Sequence, residues 1–313
     1  MVSTPARQAV LFRRSGPRHI RTRALAALTV LTGLLAGSPV AQADKPLGLG
    51  VEAGITTDNN VTRGYGTGNV LADQFVGVDI SKSFHYPLFT HTRLVLLGSV
   101  GFNSYFEYSG LSHVHLGVQG NLQYRTSAGF YAPTFTFAVR TATEEYQSEV
   151  RDGYRSTVTA SVRKPVTDKL QLAGALAYNR RDAKSEVFDN NDVSVRLSAD
   201  FAATSRDAIY LSLEYREGDI VSTGRSALAF VEIATAVVPD DAFEDTTRYA
   251  YKIDGSTRLL NLGYNRSFGE RHALDLSWRS VYATPSPVAG TSVAAGRIRY
   301  TVNQLALAYL VRF

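Results

Sequence analysis

The chain ends in residues 304–313, QLALAYLVRF, where large apolar side chains recur at every second position up to a terminal phenylalanine. Successive side chains of a β-strand point to opposite faces of a sheet, so a period of two indicates a strand. One face of this segment carries Leu305, Leu307, Tyr309, Val311 and Phe313. The segment therefore predicts a β-strand with an apolar face along its whole length.

The same alternation recurs throughout the chain upstream of this segment. A strand that crosses a membrane at a tilt needs about 9–11 residues, which is longer than the strands of ordinary soluble sandwiches. The pattern predicts an all-β fold, a transmembrane antiparallel up-and-down β-barrel of about 12 strands, with a soluble lipocalin-like barrel as the alternative. The twelve windows are 47–56, 70–82, 92–105, 112–125, 130–143, 154–164, 170–182, 192–203, 208–217, 255–267, 273–283 and 297–313.

The connections between these windows fall into two classes. Those after the even-numbered windows are mostly tight turns, with a somewhat longer one at 83–91. Those after the odd-numbered windows are long and polar, at 57–69, 106–111, 144–153, 183–191, 218–254 and 284–296. Outer-membrane barrels have short periplasmic turns and long extracellular loops. The pattern predicts a long extracellular loop at 218–254 and both ends of the barrel chain in the periplasm.

Residues 1–43 have the features of a secretory signal peptide that is cleaved on export. The segment holds six arginines and no acidic residue, then an apolar run at 24–36, and it ends in Ala41-Gln42-Ala43. The basic isoelectric point near 9.3 comes from this segment, so nucleic acid is not an expected partner. The expected barrel domain is 44–313. The chain has no cysteine, which excludes disulfides and thiolate chemistry.

The alternating carboxy-terminal segment that ends in Phe313 resembles the assembly signal of bacterial outer-membrane β-barrel proteins. This resemblance implies folding by the barrel-assembly machinery and residence in a bacterial outer membrane, in contact with its lipids and lipopolysaccharide. A closed barrel suits that location because it pairs every backbone N–H and C=O inside hydrocarbon.

The polar face of the windows, which would line the lumen, is rich in arginine. We predict a pore lining of Arg140, Arg155, Arg163, Arg181, Arg196, Arg216 and Arg279, together with Glu214 and Asp275. Arginines in a confined wall favour anions, so the chain is predicted to be a passive, weakly anion-preferring diffusion channel for small solutes. It is similar to twelve-stranded channels for acidic oligosaccharides in strand count and lumen arginines. The alternative is that these arginines pair with lumen acids and close the barrel.

Two other functions remain open. His113 and His115 share a face, and some twelve-stranded barrels are lipid hydrolases, but these histidines are expected to point into the lumen. A non-conducting structural or adhesin-like barrel is the other alternative. Within the long loop, the apolar residues 227–238 either fold inward as a plug or form a short outer helix. We predict no cofactor, no metal and no catalytic residue.

Overall fold

A computed structural model describes residues 48–286 and 298–313. Within these ranges the regular structure is almost entirely β-strand. Two short 3-10 turns lie at Ser109–Leu111 and Glu149–Arg151, and one short helix, α1, at Leu228–Val231. The strands are β1 (Leu49–Asp58), β2 (Asp73–Phe89), β3 (Thr92–Tyr105), β4 (His113–Arg125), β5 (Thr134–Tyr146), β6 (Gly153–Pro165), β7 (Leu170–Ala183), β8 (Asn190–Ala202), β9 (Asp207–Arg225), β10 (Ala234–Pro239), β11 (Arg248–Phe268), β12 (His272–Pro285) and β13 (Tyr300–Arg312).

Twelve of these strands form a closed antiparallel barrel. β1 to β9 pair in chain order, β9 pairs with β11, and β11 to β13 continue the ring. The ring closes where β13 pairs with β1, from Gly50 opposite Arg312 to Asp58 opposite Gln304. β10 pairs with the first residues of β11, before the part of β11 that pairs with β12, so it is not part of the ring.

Each of the twelve predicted windows overlaps one barrel strand, and the predicted fold class is confirmed. β2 is longer than predicted, because a bulge between Pro87 and Phe89 lets the strand continue past the proline. The turn after β2 is therefore as tight as the others at that end. The predicted signal peptide 1–43 and most of the connection 284–296 lie outside the described residues.

The two faces of the barrel wall differ in polarity as predicted. Large apolar side chains such as Leu116, Val118 and Leu197 are exposed on the outside of the ring. A continuous apolar outer surface is stable in hydrocarbon and unfavourable in water. Among the described residues, no helix is both long enough and apolar enough to cross a membrane.

Tyrosines mark the end of the barrel that carries the short turns. The Tyr131 hydroxyl donates to Asp168 at 2.8 Å, the Tyr264 hydroxyl donates to Asp207 at 2.5 Å, and the Tyr309 hydroxyl lies 2.8 Å from a ring nitrogen of His272. Each ring thus has an apolar body beside the outer surface and a polar tip at the turns, which is the arrangement of an interfacial aromatic girdle. We call this the short-turn end and the opposite one the long-loop end.

Candidate functional site

The predicted loop 218–254 is for the most part folded, which corrects the sequence expectation. β9 continues to Arg225 and β11 begins at Arg248, so the two strands pair beyond the ring. The β-branched residues Ile220, Val221 and Thr223 favour strand, so β9 extends past the predicted window. The segment between the two strands contains α1 and β10. We call residues 218–254 the lid.

The lid packs against five other connections at the long-loop end. Its contacts form three apolar clusters, and most of the buried hydrophobic side chains of the described chain belong to them. One cluster stacks Phe230 on Tyr251, with ring centroids 4.9 Å apart, and includes Ile298. The other two hold Phe243 against Leu111 and Val61, and Ala250 against Val187, Phe188 and Val150. Of the two alternatives for the apolar segment 227–238, the structure has a short helix, followed by β10, and Phe230 and Ile233 of the segment pack against Tyr251 and Ile253 of β11.

A buried ion pair ties the lid to the connection between β5 and β6. Arg151 donates to Asp240 at 2.6 Å, and the Asp240 side chain has no exposed surface. Thr223 also donates to Asp240 at 2.6 Å, and the Arg151 guanidinium stacks over Phe188 at 4.2 Å. We call the Arg151–Asp240 pair the latch. Because Asp240 is fully buried, loss of Arg151 would leave an uncompensated buried charge, so the pair constrains the position of the lid.

Further polar contacts fix the outer part of the lid. The backbone N–H of Thr223 donates to the Thr62 carbonyl at 2.8 Å, and that of Arg225 donates to the Asn69 side chain at 2.9 Å. Hydrogen bonds from Thr247, assisted by Arg225 and Arg248, lower the pKa of Asp245 below its usual value. Asp245 therefore stays ionised and able to pair with the lid arginines.

The lid leaves the barrel wall at a pair of glycines that face each other across β9 and β11. Gly218 is opposite Gly255 and has a φ of 147°. A Cβ at Gly218 would lie 2.2 Å from the Asn191 carbonyl oxygen, and one at Gly255 would lie 2.6 Å from that of Thr284. Glycine is required at this bend because the neighbouring backbones approach too closely for a side chain.

All seven predicted arginines lie on the inner face of the ring. Arg155, Arg216 and Arg279 line a cavity of about 200 Å³ directly beneath the lid. Arg196, Arg216, Arg279 and Glu214 line an adjoining cavity of about 490 Å³, and Arg140 and Arg155 line one of about 280 Å³. Arg181 and Arg163 occupy the same face by strand alternation, and Arg163 lies near the short-turn end, level with Thr134.

Four of these arginines share two carboxylates. Glu144 accepts from Arg155 at 2.9 Å and from Arg181 at 3.1 Å. Glu214 accepts from Arg196 and from Arg216, both at 2.6 Å. Each acid thus neutralises one of its two arginines. Glu144 was not among the predicted site residues; it lies on β5, beside Arg155 of the adjacent β6, and Arg181 reaches it from β7.

The other three arginines, Arg140, Arg163 and Arg279, form no hydrogen bond or ion pair with any residue in the described ranges, and all three are exposed to the lumen. Of the lumen acids, in contrast, Glu52 has no hydrogen-bond or ion-pair partner in the described ranges, while Asp79, Glu144, Asp192, Asp200, Glu214 and Asp275 are bonded to neighbours. Asp275 accepts from the Tyr210 hydroxyl at 2.8 Å and from Asn265, and it does not pair with an arginine. The positive charge of the lumen is therefore more available to a solute than the negative charge.

The two histidines point into the lumen as expected and contact different partners. His113 lies 3.1 Å from the Asn103 amide nitrogen and 3.0 Å from the Leu111 carbonyl oxygen. His115 lies 2.7 Å from a carboxylate oxygen of Asp79. Across the described ranges, no group of three or more His, Cys, Asp or Glu side chains is arranged to hold a metal ion.

Sequence reasoning missed one lumen arginine, Arg63, because it belongs to the connection between β1 and β2. Its guanidinium donates to Asp58 at 2.8 Å and lines the cavity beneath the lid. Period-two alternation gives no information on a residue outside the strands. Arg63 has a φ of 54°, a left-handed conformation that is uncommon for a residue with a side chain.

No family model matches the chain, and no curated protein matches it. Among solved structures, it is similar to the COG4313 outer membrane channel from Pseudomonas putida F1, with a TM-score of 0.52 and 13% identity over 88% of this chain and 100% of that one. It is less similar to the KdgM porin (TM-score 0.41, 10% identity, 84% and 99% covered) and to LpxR from Salmonella typhimurium (0.37, 10%, 82% and 99%). At 13% identity the similarity to the first structure establishes the fold alone, and the TM-scores of the other two are too low to support a conclusion.

Proposed function

We propose that this chain is an outer-membrane barrel through which small anions diffuse, with the lid controlling passage at the long-loop end. The apolar outer surface and the tyrosines at the short-turn end support a location in a membrane, surrounded by outer-membrane lipids and lipopolysaccharide. The segment that ends in Phe313 supports assembly by the barrel-assembly machinery.

The proposed anion preference rests on the three unpaired lumen arginines, Arg140, Arg163 and Arg279. Arg163 lies near the short-turn end, and Arg140 lies six residues further along the wall by the register of β5 and β6, roughly 20 Å away. Arg279 lies beneath the lid. An anion that enters from the short-turn end therefore meets unneutralised positive charge at successive depths of the lumen, and such charge in a confined wall attracts anions and repels cations.

The lid supports gated rather than free passage. Its apolar clusters and the latch tie it to five other connections at the long-loop end. In the proposed gate the lid moves to let a solute pass, and the pair of glycines at Gly218 and Gly255 marks where the lid joins the wall. We expect the purified protein to conduct in brief openings.

The test is the reversal potential of the purified protein in planar bilayers under a salt gradient. We expect anion-biased openings, and a combined Arg140→Ser, Arg163→Ser and Arg279→Ser variant should lose most of that bias. Arg180→Ser is the matched control, because Arg180 is exposed on the outer face and pairs with Asp182. An unchanged bias in the triple variant would contradict the proposal. Silence of both the wild type and a variant without the latch would favour the non-conducting structural or adhesin-like barrel.

A further inference from the structure

Arg63 is held in the lumen by a buried polar network that keeps its backbone in a strained conformation. Asp58, Asn60 and Thr62 are each 1–2% exposed. Asn60 donates to the carbonyls of Gly64 and Thr301, and Arg63 itself donates to Asp58 and to the Asn60 carbonyl. A left-handed backbone at a residue other than glycine persists where its surroundings enforce it, and such residues concentrate at functional sites. The surroundings here direct a guanidinium into the lumen.

The side chain of Arg63 lines the cavity directly beneath the lid. Arg63, Arg155, Arg216 and Arg279 all line this cavity of about 200 Å³. Its wall also includes Ile220 from the lid and Tyr300 from β13. Arg216 and Arg279 line the adjoining cavity of about 490 Å³ as well, so a ligand reaches the site from the lumen. The space is smaller than the roughly 300–1,000 Å³ of sites for drug-sized ligands, which limits the occupant to a small molecule.

The charges of this cavity do not balance. Four arginines and two aspartates, Asp192 and Asp219, line it. Asp192 also accepts from Asn179 at 2.7 Å, and Asp219 lies 3.4 Å from the Lys252 ammonium. The ion-pair partners of the lining residues are Asp58, Glu144, Glu214 and Lys252, and the two glutamates also pair with Arg181 and Arg196, so these six groups cancel one another in number. The site is therefore left with two positive charges.

Arg279 is the member of the cluster that is free to hold a ligand. The charged groups that act most on it are Arg216, Arg63, Glu214 and Arg196, so three of the four are positive. Guanidinium groups bind carboxylate, phosphate and sulfate oxygens through paired N–H donors in one plane. An oxyanion in this cavity would relieve the repulsion among the arginines and supply Arg279 with an acceptor.

We propose that Arg63, Arg216 and Arg279 form a binding site for a small dianion with carboxylate, phosphate or sulfate-type oxygens. Two ligand charges match the uncompensated charge of the cavity. This inference rests on the proposed function, because it names the class of anion for which the lumen is built. Arg63 is its specificity-determining residue, supplied by the connection between β1 and β2.

The site is tested by isothermal titration of the folded protein in detergent, at low salt, with sulfate, succinate, acetate and chloride as the probes. We expect sulfate and succinate to bind with a stoichiometry near one, and acetate and chloride to bind more weakly by about tenfold or more, since each charge-assisted hydrogen bond contributes roughly that factor. Arg63→Ser and Arg279→Ser should each weaken dianion binding by about tenfold. Arg180→Ser is the control: Arg180 points away from the lumen, so this variant should bind the dianions as the wild type does.

Two results would overturn the site. One is equal affinity for succinate and acetate, and the other is undiminished dianion binding in Arg279→Ser with its heat-modifiable migration intact. If Arg63→Ser does not fold, Arg63→Lys keeps the charge and removes the planar donor pair, and it should still lose affinity for the dianions. The equilibrium measurement is independent of conduction. Dianion binding without conductance would refute the channel and keep the site, whereas anion-biased conductance without dianion binding would refute the site alone.

Discussion

The latch predicts a large effect of a single substitution on the opening of the lid. Asp240→Ala removes the partner of Arg151, whose side chain is 14% exposed, and leaves the Thr223 hydroxyl without its acceptor. Breaking a buried ion pair by removing one partner costs about 3–5 kcal/mol. Because each 1.4 kcal/mol is a factor of ten, the open population of the lid should rise by roughly two to three and a half orders of magnitude.

Cleavage by trypsin after Arg248 measures this population. Arg248 is 4% exposed, so the bond is cut when the lid opens, and the rate follows the open fraction as long as reclosing is faster than cleavage. Asp240→Asn, which keeps the shape and loses the charge, should give a smaller increase. Asp182→Ala is the control, because the pair of Asp182 with Arg180 is more than half exposed on both sides and contributes little. The reasoning is refuted if Asp240→Ala is cut no faster than Asp182→Ala while the barrel remains folded.

Three further outcomes follow from the structure. Ser148 donates to Asp241 of the lid, so the double variant Ser148→Cys and Asp241→Cys, in a chain without other thiols, should close the channel on oxidation and reopen under reductant in bilayer recordings. Gly218→Ala should lower the stability of the folded barrel by about 1–3 kcal/mol in urea titrations, whereas Gly68→Ala, with no positive φ and nothing near its Cβ position, should have a smaller effect. Deleting Phe313 should reduce the amount of folded barrel in cells, while refolding of the purified chain into detergent should be nearly unaffected.

The barrel wall was predictable from the sequence because each strand faces lipid on one side and a polar lumen on the other. Apolar and polar side chains must then alternate along the strand, so the sequence of segments such as 192–203 and 273–283 shows which residues face outward and which face the lumen. The same rule placed all seven arginines inside. The pairing of Arg155 and Arg181 through Glu144 required the register, since the three residues come from β5, β6 and β7.

The lid and Arg63 were not predictable by that rule. The buried faces of the lid contact residues from five separate connections, and no local pattern in 218–254 reports such partners. Asp240 occurs in an acidic stretch that resembles a solvated turn, yet it is completely buried against Arg151. Arg63 owes its position to a network that includes Asp58 and Thr301, which are far apart in the chain. Tertiary contacts of this kind determine the site, while alternation determines the wall.

The placement of the buried apolar clusters has a consequence for how the protein forms and how it tolerates change. The three clusters, around Tyr251, Phe243 and Phe188, join connections that are distant in the chain, so they require the hairpins to be aligned first. The lid should therefore fold last during biogenesis and unfold first on heating, as a cooperative unit separate from the barrel. Lipid-facing side chains, by comparison, contact fluid acyl chains, which accommodate apolar side chains of many shapes. Natural sequence variants should therefore differ widely at the lipid-facing positions of the strands and little in the lid. The lid is an exception in this respect, because extracellular loops are ordinarily the most variable segments of such barrels.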